Sequence, residues 1–144
     1  MNNTYQRIAP LLLRLVIGYG SMAHGWVKLS RGPAGFERLL IYTHTPFAHI
    51  MSWVVPFIEV LGGLAILIGL FTRAAALPLI ITMLTAMFTI QMKYGFSSVN
   101  TIGLTPSGPL FGPPGFEINL LYIAGLLSLM ITGAGALSVD SLRR

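Results

Sequence analysis

Five residues in this 144-residue chain have the chemistry to form a polar site: Arg14, His24, Lys28, Glu59 and Glu117. Glu59 is the most demanding. It sits in Val55–Arg73, VPFIEVLGGLAILIGLFTR, a run that is otherwise apolar until its last residue. A charge at the centre of a membrane helix costs about 2.5–3.5 kcal/mol on insertion scales. Glu59 must therefore be neutral, paired or facing water. Counting ~1.5 Å per residue, it lies roughly 20 Å from the Arg73 end and Arg14 roughly 10 Å from the same side. Two partners stay open for Glu59: an Arg14 bridge, or His24 reaching in from the opposite end. Lys28 and Glu117 are expected together at the mouth. Such an arrangement serves either as structural ion pairs or as a proton-linked or anion-binding site, since burial raises a carboxyl pKa toward neutral.

The elements that must position these residues are legible in the composition. The chain is 54% hydrophobic, 9% charged and has a mean hydropathy of +0.76. Soluble domains carry roughly 25% charged residues. An all-α integral membrane protein follows: a single domain over residues 1–144, a four-helix bundle with two long loops on one side. The expected spans are about 8–27, 49–71, 74–92 and 116–137, each near the ~20 residues a span needs. Arg14 interrupts the first apolar region and no small-residue cleavage site follows it, so the first segment reads as a retained span. Tyr5, Arg7, Trp26 and Lys28 are its expected interfacial anchors. Gly18, Ser21 and Gly25 put small residues on one face, which suits close helix packing. Phe36–Tyr42 reads as a short interfacial helix. Gly62-Gly63 and Gly69 admit a neighbouring backbone, and Pro78 is placed in the first turn of the third span. Residues 93–115 are rich in Gly, Pro and Ser yet carry Phe96, Ile102, Leu104, Leu110 and Phe111. That loop is expected to fold over the bundle mouth or dip into the interface.

Several function classes drop out. The net charge of +5 comes without a basic cluster interleaved with aromatics, so no nucleic-acid partner is expected. With no cysteine there is no disulfide scaffold, thiol catalysis or thiolate metal site. His44 and His49 read as loop and interfacial histidines rather than a metal or haem pair, and no metal site is expected. Four spans put both termini on one side. The lysine and arginine count tips slightly toward termini inside.

The ordered motifs resemble the DoxX family of small four-helix bacterial membrane proteins. They are Arg14-Leu15, Ala23-His24-Gly25 and Lys28-Leu29; Glu59-Val60-Leu61-Gly62-Gly63; Gly69-Leu70-Phe71-Thr72-Arg73; Gly95-Phe96; Phe111-Gly112-Pro113-Pro114-Gly115-Phe116-Glu117; and Gly133 through Asp140. The resemblance covers almost the whole chain. It implies four spans in a bacterial inner membrane with both termini cytoplasmic, and a link to redox chemistry, since relatives include the membrane subunit of a thiosulfate:quinone oxidoreductase. The expected partners are the lipid bilayer, a redox protein and further copies of the chain, with quinone as the candidate cofactor. The alternatives are a small-molecule or anion carrier, or an assembly protein without its own activity. Where the family often has a histidine before the Gly-Phe pair, this chain reads Gln91-Met92-Lys93-Tyr94, so a histidine role there is not implied.

Overall fold

The computed structural model describes residues 3–143, with side chains from Arg7 onward. The expected anchor Tyr5 and the terminal Arg144 therefore lie outside the described side chains. The elements run α1 (Asn3–Ser30), α2 (Pro33–Tyr42), α3 (Ala48–Ile68), α4 (Thr72–Ala86), β1 (Thr101–Thr105), β2 (Gly108–Phe111), α5 (Glu117–Thr132) and α6 (Val139–Leu142). α4 continues through a π turn, Met87–Gln91, and a 3-10 turn, Met92–Tyr94. Two helices, Ala48–Ile68 and Thr72–Tyr94, are long and apolar enough to cross a membrane. α5 is apolar but has only 16 residues, about 24 Å at the helical rise.

The four long helices pack in a ring: α1 on α3, α3 on α4, α4 on α5 and α5 back on α1. Their core is Ile17, Ile66, Ala76, Leu79, Ile80, Leu126 and Leu129. The outer faces are apolar too, with Val16, Leu61, Phe88, Leu121 and Ile131 all exposed. That inversion of the usual surface is what a lipid-facing bundle requires.

Close approach of α1 and α3 depends on glycine. A Cβ on Gly18 would lie 2.7 Å from Leu67 N, and one on Gly63 would lie 2.7 Å from Gly18 O. The expected small-residue face is thus the α1–α3 seam. Gly63→Ala is expected to push the two helices apart and destabilise the fold by about 1–3 kcal/mol, as overpacking does. Thermal unfolding in detergent, with Gly35→Ala as the control at an open position, measures it.

Four expectations are corrected. The chain is not purely helical, because the third connection contains an antiparallel hairpin, β1 with β2. Thr101, Ile102 and Thr105 favour strand, and Pro106-Ser107 makes the link, with Thr105 Oγ1 donating to Gly108 O at 2.8 Å. Of the two placements expected for this segment, closure over the mouth is not seen among the described residues, where the hairpin pairs chiefly with itself. The last long helix stops at Thr132 instead of continuing to Leu137, since Gly133 and Gly135 adopt φ of 79° and 71°. Finally, α4 starts at Thr72, so Pro78 lies inside the helix beyond its first turn. Thr82, Thr85 and Thr89 all donate backward within their own helix, to Leu79, Ile81 and Thr85 carbonyls.

Candidate functional site

α1 presents Arg14, Ser21 and Lys28 at two seven-residue steps, about two turns each, so all three lie near one stripe of the helix. Arg14 and Ser21 are fully buried there. The stripe ends in two different polar arrangements.

At one end, Arg14 is 1% exposed and its guanidinium meets only carbonyls. Nε donates to Ile66 O at 3.1 Å and Nη2 to Leu67 O at 2.9 Å, capping the C-terminal end of α3. Nη1 donates to Ala134 O and Ala136 O, both at 2.9 Å, and Nη2 also to Leu137 O at 3.0 Å. Five N–H donors meet five acceptors, the full capacity of an arginine. Arg14 therefore does not touch Glu59. It holds the turn after α3 and the irregular segment 133–137, whose backbone could not otherwise be satisfied away from water.

Asp140 completes this clasp from the other direction. Its Oδ1 and Oδ2 accept from the N–H groups of Phe71 and Thr72, at 2.8 and 2.9 Å, at the start of α4. Phe71 is held at φ 46°, a left-handed conformation that needs such support. Burial pushes the Asp140 carboxyl up, but the Thr72 and Phe71 hydrogen bonds and nearby Arg143 outweigh it and hold the group below its ordinary value of 3.8. A depressed carboxyl stabilises the fold above its unfolded value and loses that contribution as pH falls through the folded one. Asp140→Asn is expected to lose about 0.5–2 kcal/mol, the range for a helix-start acceptor. Unfolding midpoints of both proteins from pH 7 down past 3.8 should converge as Asp140 protonates.

At the other end, Lys28 and Glu59 form an ion pair. Lys28 Nζ lies 2.5 Å from Glu59 Oε1 and 2.6 Å from Oε2. Glu59 is 3% exposed, while the Lys28 side chain keeps 26% of its surface accessible. Gly25 makes the approach: a Cβ there would sit 2.6 Å from Pro56 O and 2.9 Å from Glu59 Cβ. The Phe36 ring of α2 covers the ammonium, 4.8 Å from Nζ to the ring centroid, a cation–π contact.

The remaining expected site residues stand elsewhere. Glu117 does not meet Lys28. It opens α5, where a carboxylate suits the helix dipole, and Oε2 accepts from Ser98 N at 2.9 Å. His24 lies on the outer side of α1, edge-on to Tyr122 of α5 at 6.1 Å between ring centroids, and does not bond Glu59. His49 pairs with Glu37 of α2 at 3.1 Å, and His44 occupies a left-handed turn at φ 53°. Phe36, Asp140 and the buried Asn119, which donates to Met83 O, were not singled out by residue type or spacing. The signal for Asp140 was local: Ser138 caps α6 and sets the aspartate one turn from the chain's return to Gly69.

Comparison with known proteins now bears on this geometry. The DoxX family pattern matches residues 9–92, the segment holding Arg14, Lys28 and Glu59. The chain belongs to the DoxX family. Among relatives of this DoxX protein, the Escherichia coli inner membrane protein YqjF is 33% identical, over 94% of this chain and 92% of the relative. The Mycobacterium tuberculosis membrane protein Rv3486, named as uncharacterized, is 31% identical over 90% of this chain and 78% of the relative. A Bacillus subtilis protein named "Putative oxidoreductase CatD" is 26% identical over 97% and 90%. No solved structure matches. This DoxX protein is thus a membrane protein.

Proposed function

We propose that this DoxX protein is a membrane subunit of a quinone-linked redox system, with the Lys28–Glu59 pair as the point of contact for a quinone headgroup. The observation that carries the reading is the asymmetry of the pair. Glu59 is buried in an apolar helix, whereas Lys28 alone remains partly accessible, beneath an aromatic ring. A flat, largely apolar headgroup with carbonyl acceptors matches a site built from an aromatic face, an ammonium donor and apolar helix walls.

A bound quinone would supply a two-electron, two-proton acceptor. Lys28 donates a hydrogen bond to a carbonyl oxygen and stabilises negative charge developing there. Glu59 holds Lys28 in place through their ion pair, and the protons of a reduction come from water reaching the accessible side of Lys28. Electrons come from a partner redox protein, and the name of the Bacillus subtilis relative is in keeping with oxidoreductase chemistry.

In this reading all four long helices span the inner membrane, with both termini cytoplasmic. α2 and the 95–116 segment then share the opposite side, as the Lys93 contact with Tyr42 of α2 supports. The anion-carrier reading gains less from the geometry, since every Arg14 donor is already engaged. Gentle purification from native membranes, with quinone quantified in the extracted lipid and co-purifying proteins identified by mass spectrometry, is the test. Stoichiometric quinone together with a redox protein is expected. A protein carrying only ordinary lipid and no redox partner would remove the quinone reading.

A further inference from the structure

The β1–β2 hairpin carries an apolar face that none of the described residues covers. Its register pairs Leu104 with Pro109 and Thr101 with Phe111, so Leu104, Pro109 and Phe111 share one face, while Gly103, Thr105 and Gly108 fall on the other beside Leu110. Leu104 is 84% exposed, and Pro109 and Phe111 are also exposed. Among the described residues the hairpin has no extensive contact with the helices. From Tyr94 to Phe116 the segment contains no charged residue.

Its base is anchored at a fixed place. Gly115 N donates to Ser97 O, Phe116 N to Gly95 O and Glu117 N to Phe96 O, which clamps the two ends of the segment to the start of α5. Phe96 packs edge-on against Phe116 at 5.5 Å. The hairpin therefore emerges at the ends of two apolar helices, one of them long enough to cross a membrane. Lys93, at the same level, lies over the Tyr42 and Tyr94 rings, the aromatic and cationic pairing typical of a headgroup boundary. Lys28, Arg31 and Arg38 belong to the same end of the molecule, with Glu37, Glu59 and Glu117 beside them, so the rim is mixed in charge and polar, as a headgroup boundary is.

We infer that the hairpin is a monotopic membrane element: its Leu104, Pro109 and Phe111 face lies in the headgroup and acyl boundary around the bundle, level with the Lys93, Tyr42 and Tyr94 cluster. Full immersion is ruled out by its outer strand edges, whose backbone groups are unpaired and need water or headgroups. A flat position at the boundary satisfies both the apolar face and the polar edges. A lipid surface also fits the absence of charge better than a protein partner does, since nothing in residues 94–116 would steer a charged partner.

The lack of native cysteine makes the test direct. Leu104→Cys and Thr105→Cys, each labelled with an environment-sensitive fluorophore, are compared in nanodiscs. The expected result is a blue-shifted Leu104 label, quenched by nitroxide placed near the lipid headgroup and protected from aqueous iodide. The Thr105 label, on the opposite face, should remain accessible to iodide. Equal iodide access at both positions, or protection of Leu104 that appears only as protein concentration rises, would overturn the inference. The second outcome would assign the face to another copy of the chain. Phe111→Cys, on the same face but on the partner strand, repeats the comparison independently of any disturbance at Leu104, and its label should be protected as the Leu104 label is; iodide access at both Leu104 and Phe111 equal to that at Thr105 overturns the inference.

Discussion

Arg14→Leu is expected to prevent the protein from accumulating as a folded species. The substitution leaves the carbonyls of Leu67, Ala134, Ala136 and Leu137 without their side-chain donor, while Ile66 O keeps only the Gly69 N–H. A buried polar group left unpaired costs about 1–3 kcal/mol, and four in one cluster reach the ~4–5 kcal/mol that marks an exceptional single mutation, even allowing for non-additivity. Arg14→Lys should rescue only partly, because an ammonium offers three donors for five acceptors and none in a planar fork. Membrane-fraction yield and the unfolding midpoint in detergent report the order: wild type, then lysine, then leucine. Equal stability of the lysine variant and wild type would show that charge alone, not the five-fold clasp, is what matters.

The second large effect is expected at the ion pair, and it has a diagnostic shape. Lys28→Met alone strands a 3%-exposed carboxylate, and breaking a buried pair this way costs about 3–5 kcal/mol. Replacing both partners, Lys28→Met with Glu59→Met, removes the stranded charge and should recover most of that loss, since buried pairs are often matched by apolar residues of similar volume. The double-mutant cycle on unfolding midpoints measures the coupling. A double variant no more stable than Lys28→Met would place the loss in packing, with the Phe36 contact the first suspect.

The sequence carried the helices well and the pairing poorly. Apolar stretches, glycine seams and the proline-glycine breaks located α1, α3, α4 and α5 to within a few residues at most ends. Arg14, Lys28 and Glu59 were also evident as polar groups that needed an answer. What depth counting missed was the direction of side chains. A helical side chain leans toward its own N-terminus, so Lys28, at the end of α1, reaches back to the level of Gly25, which packs on Glu59 Cβ. Depth counted along the helix axes left Arg14 and His24 as the partners of Glu59 and set Lys28 with Glu117 at the mouth. Arg14 in turn found backbone rather than a carboxylate, and no side-chain inventory shows how many carbonyls a terminating helix and a double-glycine bend leave open. The hairpin was hidden for a related reason. Gly, Pro and Ser suggested an irregular loop, whereas the short Thr101–Thr105 run needed its partner strand before its strand character could register.

The measurement that tests the central claim most directly is the titration of a short-chain quinone into nanodisc-embedded protein, followed through intrinsic tryptophan fluorescence. Wild type is compared with the Lys28→Met, Glu59→Met double variant after thermal unfolding has shown both to be folded. The Lys28–Glu59 site predicts saturable binding by wild type and its loss in the double variant. Equal binding by the two folded proteins, or no saturable binding by wild type, would contradict it.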